Sequence, residues 1–166
     1  MNAPASALTI RDFASADSDR VNHIALAAFS QFSAHYDGWP KLAATLSRMS
    51  DLASSGEIIV AEADGAIAGA VAYIPPGAPK ASFFEPTWPV IRMLVADPAY
   101  RGVGIGRALT EECMRRARRD RAAVIALHTS PIMTVALPMY LRMGFVRLRA
   151  TPPICGVEYA VYTKML

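Results

Sequence analysis

The chain has 166 residues and a mass of 17.9 kDa, with 53% apolar residues, 19% charged residues and a mean hydropathy of +0.25. That balance supplies the core of one domain spanning 1–166 and excludes an intrinsically disordered chain. The net charge is +3, and no uncharged apolar run approaches the ~18 residues of a membrane-spanning helix, so no membrane span is expected.

Residues 7–13 (ALTIRDF) alternate apolar and polar and predict a first strand. Residues 17–32 carry Val21, Ile24, Ala25, Ala28 and Phe29 at helical spacing, with Asp17 or Ser18 as N-cap. A second helix is predicted over 41–52, with Pro40 just before it. Strands over 57–63 and 66–74 flank Asp64-Gly65, a two-residue hairpin signal. Residues 75–89 hold five of the twelve prolines with Phe83, Phe84 and Trp88, which reads as a lid or binding loop. The apolar run 90–96 suits a central strand covered on both faces. A glycine-rich turn follows, then a helix whose apolar row is Ile105, Leu109, Cys113 and Ala117. Residues 122–128 predict a buried strand, 134–143 a short helix closed by Gly144, and 145–149 and 158–164 two last strands across a proline-containing loop. The order β-α-α-β-β-β-α-β-α-β-β describes an α/β domain built on a mixed sheet.

Residues 101–121 hold seven arginines against Glu111, Glu112 and Asp120, whereas the rest of the chain has ten basic and eleven acidic residues. Such a window fits a phosphate-rich ligand, a nucleic acid, or a solvated helix face with Glu111/Arg115 and Glu112/Arg116 pairs. It contains no aromatic residue to stack on bases, which counts against single-stranded nucleic acid. Cys113 and Cys155 are too few for a disulfide scaffold and lack metal-ligand spacing, so no metal is expected. Residues 1–6 show no basic patch or apolar run of an export signal, and a cytoplasmic location is the expectation.

Arg101-Gly102-Val103-Gly104-Ile105-Gly106-Arg107 sits between the central strand and the basic helix. Glycines allow close backbone approach, and the first turn of a helix presents unpaired amides with a positive partial charge. Together they form an anion site suited to phosphate, with Arg101 and Arg107 beside it. The spacing matches neither the G-x-G-x-x-G dinucleotide fingerprint nor a Walker A loop.

With MLVADP at 93–98, RGVGIG at 101–106 and MYLRMGF at 139–145, the segment from Ile91 to Phe145 resembles the GNAT superfamily of acyl-CoA-dependent N-acyltransferases. The resemblance implies a mostly antiparallel mixed sheet flanked by helices. It implies acetyl-CoA as co-substrate, its pyrophosphate held by the backbone from Gly102 through Val103, Gly104, Ile105 and Gly106 to Arg107 with Arg101 alongside. Its pantetheine arm would pair with Leu94, Val95 and Ala96. It further implies direct attack by a primary amine of a small molecule, with Tyr140 protonating the leaving thiolate. Two departures stand out. Val90 occupies the strand position where many relatives carry a glutamate, which leaves the general base open among Glu85, His128, Asp37 and water. Met133 stands where many carry a cofactor-contacting asparagine and reads as a packing residue. The acceptor region would draw on 35–40, 75–89 and 151–156, bringing Tyr36, Trp39, Phe83, Phe84, Trp88 and Ile154, which favours an acceptor with an apolar body. Core packing or a homodimer contact is the competing role for those aromatics. A catalytically inactive acyl-CoA sensor is the competing function. Gly104→Val is expected to weaken cofactor binding with little loss of stability.

Overall fold

The structure is a computed structural model and describes residues 7–166; the stretch read above for an export signal, residues 1–6, lies outside it. Seven strands form one sheet: β1 (Leu8–Asp12), β2 (Glu57–Ala63), β3 (Ala66–Ile74), β4 (Val90–Ala96), β5 (Val124–Thr129), β6 (Val146–Ile154) and β7 (Val157–Met165). Their spatial order is β1-β2-β3-β4-β5-β7-β6, and every neighbouring pair is antiparallel except β4 with β5. Four α-helices cover it: α1 (Ser18–Ser30), α2 (Trp39–Leu46), α3 (Ile105–Arg119) and α4 (Ala136–Arg142). The mixed, mostly antiparallel sheet with flanking helices is the architecture expected. No helix among the described residues is long and apolar enough to cross a membrane.

Strand alternation divides the core between the two faces. Ile91 and Leu127 point toward α3 and α4, where they join Leu109, Cys113, Tyr140 and Phe145. Val60, Ala70 and Val95 point the other way, under Val21, Ile24 and Ala25 of α1. Asp64 and Gly65 of the β2–β3 turn both have positive φ, 52° and 77°, as a two-residue hairpin of this kind requires.

One cap and three boundaries differ from expectation, each for a local reason. Asp17 sits at the N-cap of α1, but its carboxylate accepts from the Ala14 amide at 2.8 Å and pairs with Arg11 at 2.8 Å rather than capping the helix. The second helix is shorter and begins earlier, with Pro40 inside its first turn, where the missing N–H is no loss. It stops at Leu46 and gives way to a 3-10 segment over Met49–Ser54, because Asn22 of α1 takes the Ser50 amide at 2.8 Å and donates to its hydroxyl at 2.9 Å. The last two strands are longer than predicted. Pro152 and Pro153 lie within edge strand β6, at a register shift where no ladder donor is needed, and the turn is only Cys155-Gly156 with φ of 45° and 79°.

The arginine-rich window is largely resolved by ion pairs. Arg116 is buried, with 7% of its side chain exposed, and reaches Asp12 at 2.6 Å, Glu57 at 2.8 Å and Glu112 at 3.0 Å. Arg119 pairs with Glu57 and Asp120, and Arg115 with Glu112. The expected Glu112/Arg116 pair is present, whereas Glu111 turns to Arg107 at 2.9 Å instead of Arg115. These arginines tie α3 to β1 and β2, so the window is in large part a structural clamp.

Candidate active site

The central feature is an opening between β4 and β5. The two parallel strands pair only at Val90 with Ala126 and Ile91 with Leu127, and from Arg92 onward they separate. The cause lies in β4. Val71 of β3 faces two residues, Met93 and Leu94, and Met93 takes a φ of +55°. A bulge of this kind bends its strand and increases the local twist. On its other side β4 stays paired with β3 as far as Gly69 with Ala96. The edge of residues 92–96 that faces β5 therefore has no strand beside it. Leu94 and Ala96 pack toward the α3 side, and Val95 is buried under α1.

The turn after β4 is built to present backbone. Asp97 accepts from Ala99 N–H at 2.9 Å, capping the short turn Pro98–Tyr100, and pairs with Arg20 of α1 at 2.5 Å. Gly102 and Gly104 follow with φ of 79° and 81°, a region that disfavours any side chain, and nothing lies within 4 Å of where a Cβ would stand on either. Gly104 is the N-cap of α3, and its carbonyl accepts from Ala108 at 3.0 Å. Among the described residues, the amides of Gly104, Ile105, Gly106 and Arg107 find no acceptor, the four unsatisfied donors of a helix start. Ile105 is buried and anchors the turn from below, while Val103 is exposed.

Two of the sequence expectations for this loop need correction. Gly106 does not open the site: a Cβ there would stand 3.3 Å from Met139 Sδ and 3.7 Å from Leu94 Cδ2, so it lets α3 approach α4 and β4. Arg101 and Arg107 are not free charges. Arg101 donates to Gln31 Oε1 at 2.7 Å, joining the loop to the end of α1, and Arg107 is paired with Glu111.

Tyr140 of α4 reaches the α3 side of the sheet. Its residue is 5% exposed, its ring packs edge-on to Phe145 at 5.6 Å, and burial pushes its phenol well above the ordinary value. The hydroxyl makes no hydrogen bond among the described residues, and no fully occluded side-chain polar atom lacks a partner.

On the opposite face, beside the opening, His128 near the end of β5 is stacked between Phe83 at 4.6 Å and Tyr159 at 4.8 Å. Burial lowers its pKa to about 4, so the imidazole is neutral at neutral pH, and its Nε2 is hydrogen-bonded to Thr151 Oγ1. Thr151 was not legible as its partner, since it comes from the edge strand. The other candidate bases are placed differently. Asp37 lies against the Cys155-Gly156 turn, with its amide donating to the Cys155 carbonyl at 2.8 Å. Glu85 is exposed on the 75–89 loop. Val90 is buried at 3% in the apolar cluster with Phe84.

The 75–89 loop is tied down at several points. Lys80 Nζ donates to the carbonyls of Ala78 at 2.8 Å, Pro86 at 3.0 Å and Pro75 at 3.4 Å, drawing the loop around one cation. Phe84 plugs into the cluster of Ile58, Ala72, Ile74 and Val161. Arg149 of β6 donates to the Phe83 carbonyl at 2.6 Å and sits over Trp88 at 6.0 Å. Loop residues alone line a shallow cavity of about 420 Å³. Tyr36 is also core: its hydroxyl bonds that of Tyr159, and both rings pack with Met133, the residue read as packing. Among the described residues there is no cluster of metal-ligand type.

The comparisons agree with this architecture. The profile described as Acetyltransferase (GNAT) family matches residues 19–145. The crystal structure of the GCN5-Related N-acetyltransferase: Aminotransferase, Class-II from Rhodopseudomonas palustris superposes with a TM-score of 0.76 at 19% identity, covering 100% of both chains. The structure of yncA from Salmonella typhimurium, solved with its cofactor acetyl-CoA, gives 0.70 at 18% identity over 96% of this chain and 94% of that one. N-alpha-acetyltransferase 30 of Saccharomyces cerevisiae is 36% identical over 59 residues, which span 36% of this chain and 34% of that protein. At these identities the structural likeness speaks for the fold, while the profile covers most of the sequence, and the chain belongs to the GNAT acetyltransferase family.

Proposed function

We propose that the chain is an acetyl-CoA-dependent N-acetyltransferase acting on a primary amine of a small molecule. The observation that carries this reading is the juxtaposition of four acceptor-free amides at Gly104–Arg107 with the unpaired edge of β4. Acetyl-CoA, when bound, supplies a thioester whose acetyl group passes to the amine and whose sulfur leaves as a thiolate. The residues present fit it. The start of α3, with the Gly102–Gly104 turn before it, suits a pyrophosphate, and Arg101 and Arg107 stand at its rim. Leu94, Val95 and Ala96 offer backbone donors and acceptors to an extended pantetheine arm, as a strand edge does to an added strand. Holding both reactants between fixed elements supplies orientation.

Tyr140 is the proton donor to the leaving sulfur. Burial keeps the phenol protonated at neutral pH. The same desolvation raises the basicity of a thiolate formed in that enclosure, so donor and acceptor move together. On the other face the neutral imidazole of His128 borders the opening as a hydrogen-bonding group, though burial makes it a weak base, and its flanking rings favour an acceptor with an apolar body. Tyr140→Phe tests the reading. Acetyl-CoA should still bind, while kcat falls by about 10²–10⁴. Unchanged turnover in that variant removes Tyr140 from the mechanism. The buried Val90, which leaves no carboxylate at that point of β4, favours a second reading as an acyl-CoA sensor. Cofactor binding without turnover of any amine would select it.

A further inference from the structure

Arg92 is exposed near the middle of the central strand and has no hydrogen-bond or ion-pair partner among the described residues. Arg11, Arg20, Arg116 and Arg119 are committed to carboxylates, whereas Arg92, like the exposed Arg118, Arg121, Arg142 and Arg147, is not. Arg92 lines a cavity of about 150 Å³ with Arg48, Asp51, Met49, Leu52 and Met93. Arg48 and Asp51 stand 4.0 Å apart, both mostly exposed, which is a weak pair in water. The cavity therefore carries two guanidinium groups against one carboxylate.

Its position relates it to the proposed chemistry. Val90 and Ala126 are register partners in the parallel pair, so Arg92 and His128, two residues further along each strand, stand on the same face across the mouth of the opening. That face is the one packed by α1 and the 75–89 loop. Leu52 belongs to the apolar clusters of both, so one wall of the cavity continues toward Phe83 and Trp88. We infer that Arg92, assisted by Arg48, binds a carboxylate carried by the acceptor, whose class is an apolar amine bearing one carboxylate. A guanidinium fork matches a carboxylate with two parallel hydrogen bonds. A dianionic phosphate fits less well, because Asp51 also faces the space and the excess of charge is a single positive unit. A cavity of about 150 Å³ is of the size that accepts a benzene-sized group, enough for a carboxylate and a few carbons.

The inference rests on the N-acetyltransferase reading, and its test separates the two. Release of CoA thiol is measured with matched acceptors, L-phenylalanine against L-phenylalaninamide and 4-aminobenzoate against 4-aminobenzamide. The acid of at least one pair should be preferred tenfold or more in kcat/KM, with the difference lying in KM. Arg92→Gln should reduce that preference to near one, and Arg92→Lys, which keeps the charge but not the fork, should leave an intermediate value. Equal use of acids and amides, or no turnover of any acid by protein that binds acetyl-CoA, overturns the assignment. So does a preference that survives Arg92→Gln. A failure to bind acetyl-CoA overturns the underlying reading instead.

Discussion

Replacing Gly104 separates what the loop does for folding from what it does for binding. Gly104 has a φ of +81°, and nothing lies within 4 Å of an added Cβ. The folding cost of a side chain there is conformational rather than steric, at about 1–2 kcal/mol for an L-residue forced into the left-handed region. For a chain of this size each kcal/mol lowers the melting temperature by about 2–4 °C, so Gly104→Ala should melt about 2–8 °C lower. Gly104→Val should fall at the upper end because β-branching crowds that region further, and Gly104→Asn should lose least. The expectation from sequence alone, that valine leaves stability nearly untouched, is therefore revised. Acetyl-CoA affinity, measured by calorimetry on each folded variant, should fall at least tenfold in the valine variant, because its side chain projects into the space in front of the Gly104–Arg107 amides. Unaltered affinity in a valine variant that melts lower would refute the binding role of the turn. An unaltered melting temperature would refute the conformational argument.

Removing the Arg116 guanidinium by Arg116→Met takes the shared partner from Glu112 and Glu57, and should cost about 2 kcal/mol, because Glu112 keeps Arg115 and Glu57 keeps Arg119. A urea titration showing a loss below about 1 kcal/mol would contradict the clamp. Stability should also decline with acidity in two windows. His128, held near 4 by burial, stays neutral in the folded state while the unfolded chain takes up a proton below about 6.5, so stability falls from about pH 6.5 to 4. Glu112, held at about 2 by its hydrogen bonds to Arg115 and Arg116, contributes stability above the ordinary carboxylate range that is lost as pH drops toward 2. His128→Phe should flatten the first window only and Glu112→Gln the second, as read by melting temperature against pH. Lys80→Met frees three carbonyls, and limited proteolysis should then cut between residues 75 and 89 faster than in the parent chain. An unchanged cutting rate would mean that Phe84 and Arg149 alone hold the loop.

The elements written in local chemistry were legible from the sequence. Asp64-Gly65 specified its hairpin, the Ile105-Leu109-Cys113-Ala117 row specified the buried face of α3, and the glycines at 102 and 104 marked the turn that needs positive φ. What escaped was set by partners distant in the chain. The second helix stops early because Asn22, 28 residues before Ser50, takes an amide that helix propensity would have left to the helix. The opening of the sheet depends on Met93 at a φ of +55°, and methionine has no signature for that conformation. The prolines at 152 and 153 read as a loop because only the sheet order reveals that β6 is an edge strand. Nothing in the sequence singled out Arg92, since an unpaired arginine is recognised by the partners it lacks in space.

The central claim is that the opening between β4 and β5, with the start of α3, holds acetyl-CoA. A thermal-melt titration of the purified protein with acetyl-CoA, CoA and NADH tests it most directly. At about 100 times Kd a ligand stabilises its site by about 2.7 kcal/mol, which at ~2–4 °C per kcal/mol is a readily measured shift. Saturable shifts of that size are expected with acetyl-CoA and CoA, and none with NADH. A cooperative melt that neither CoA species moves would contradict the claim.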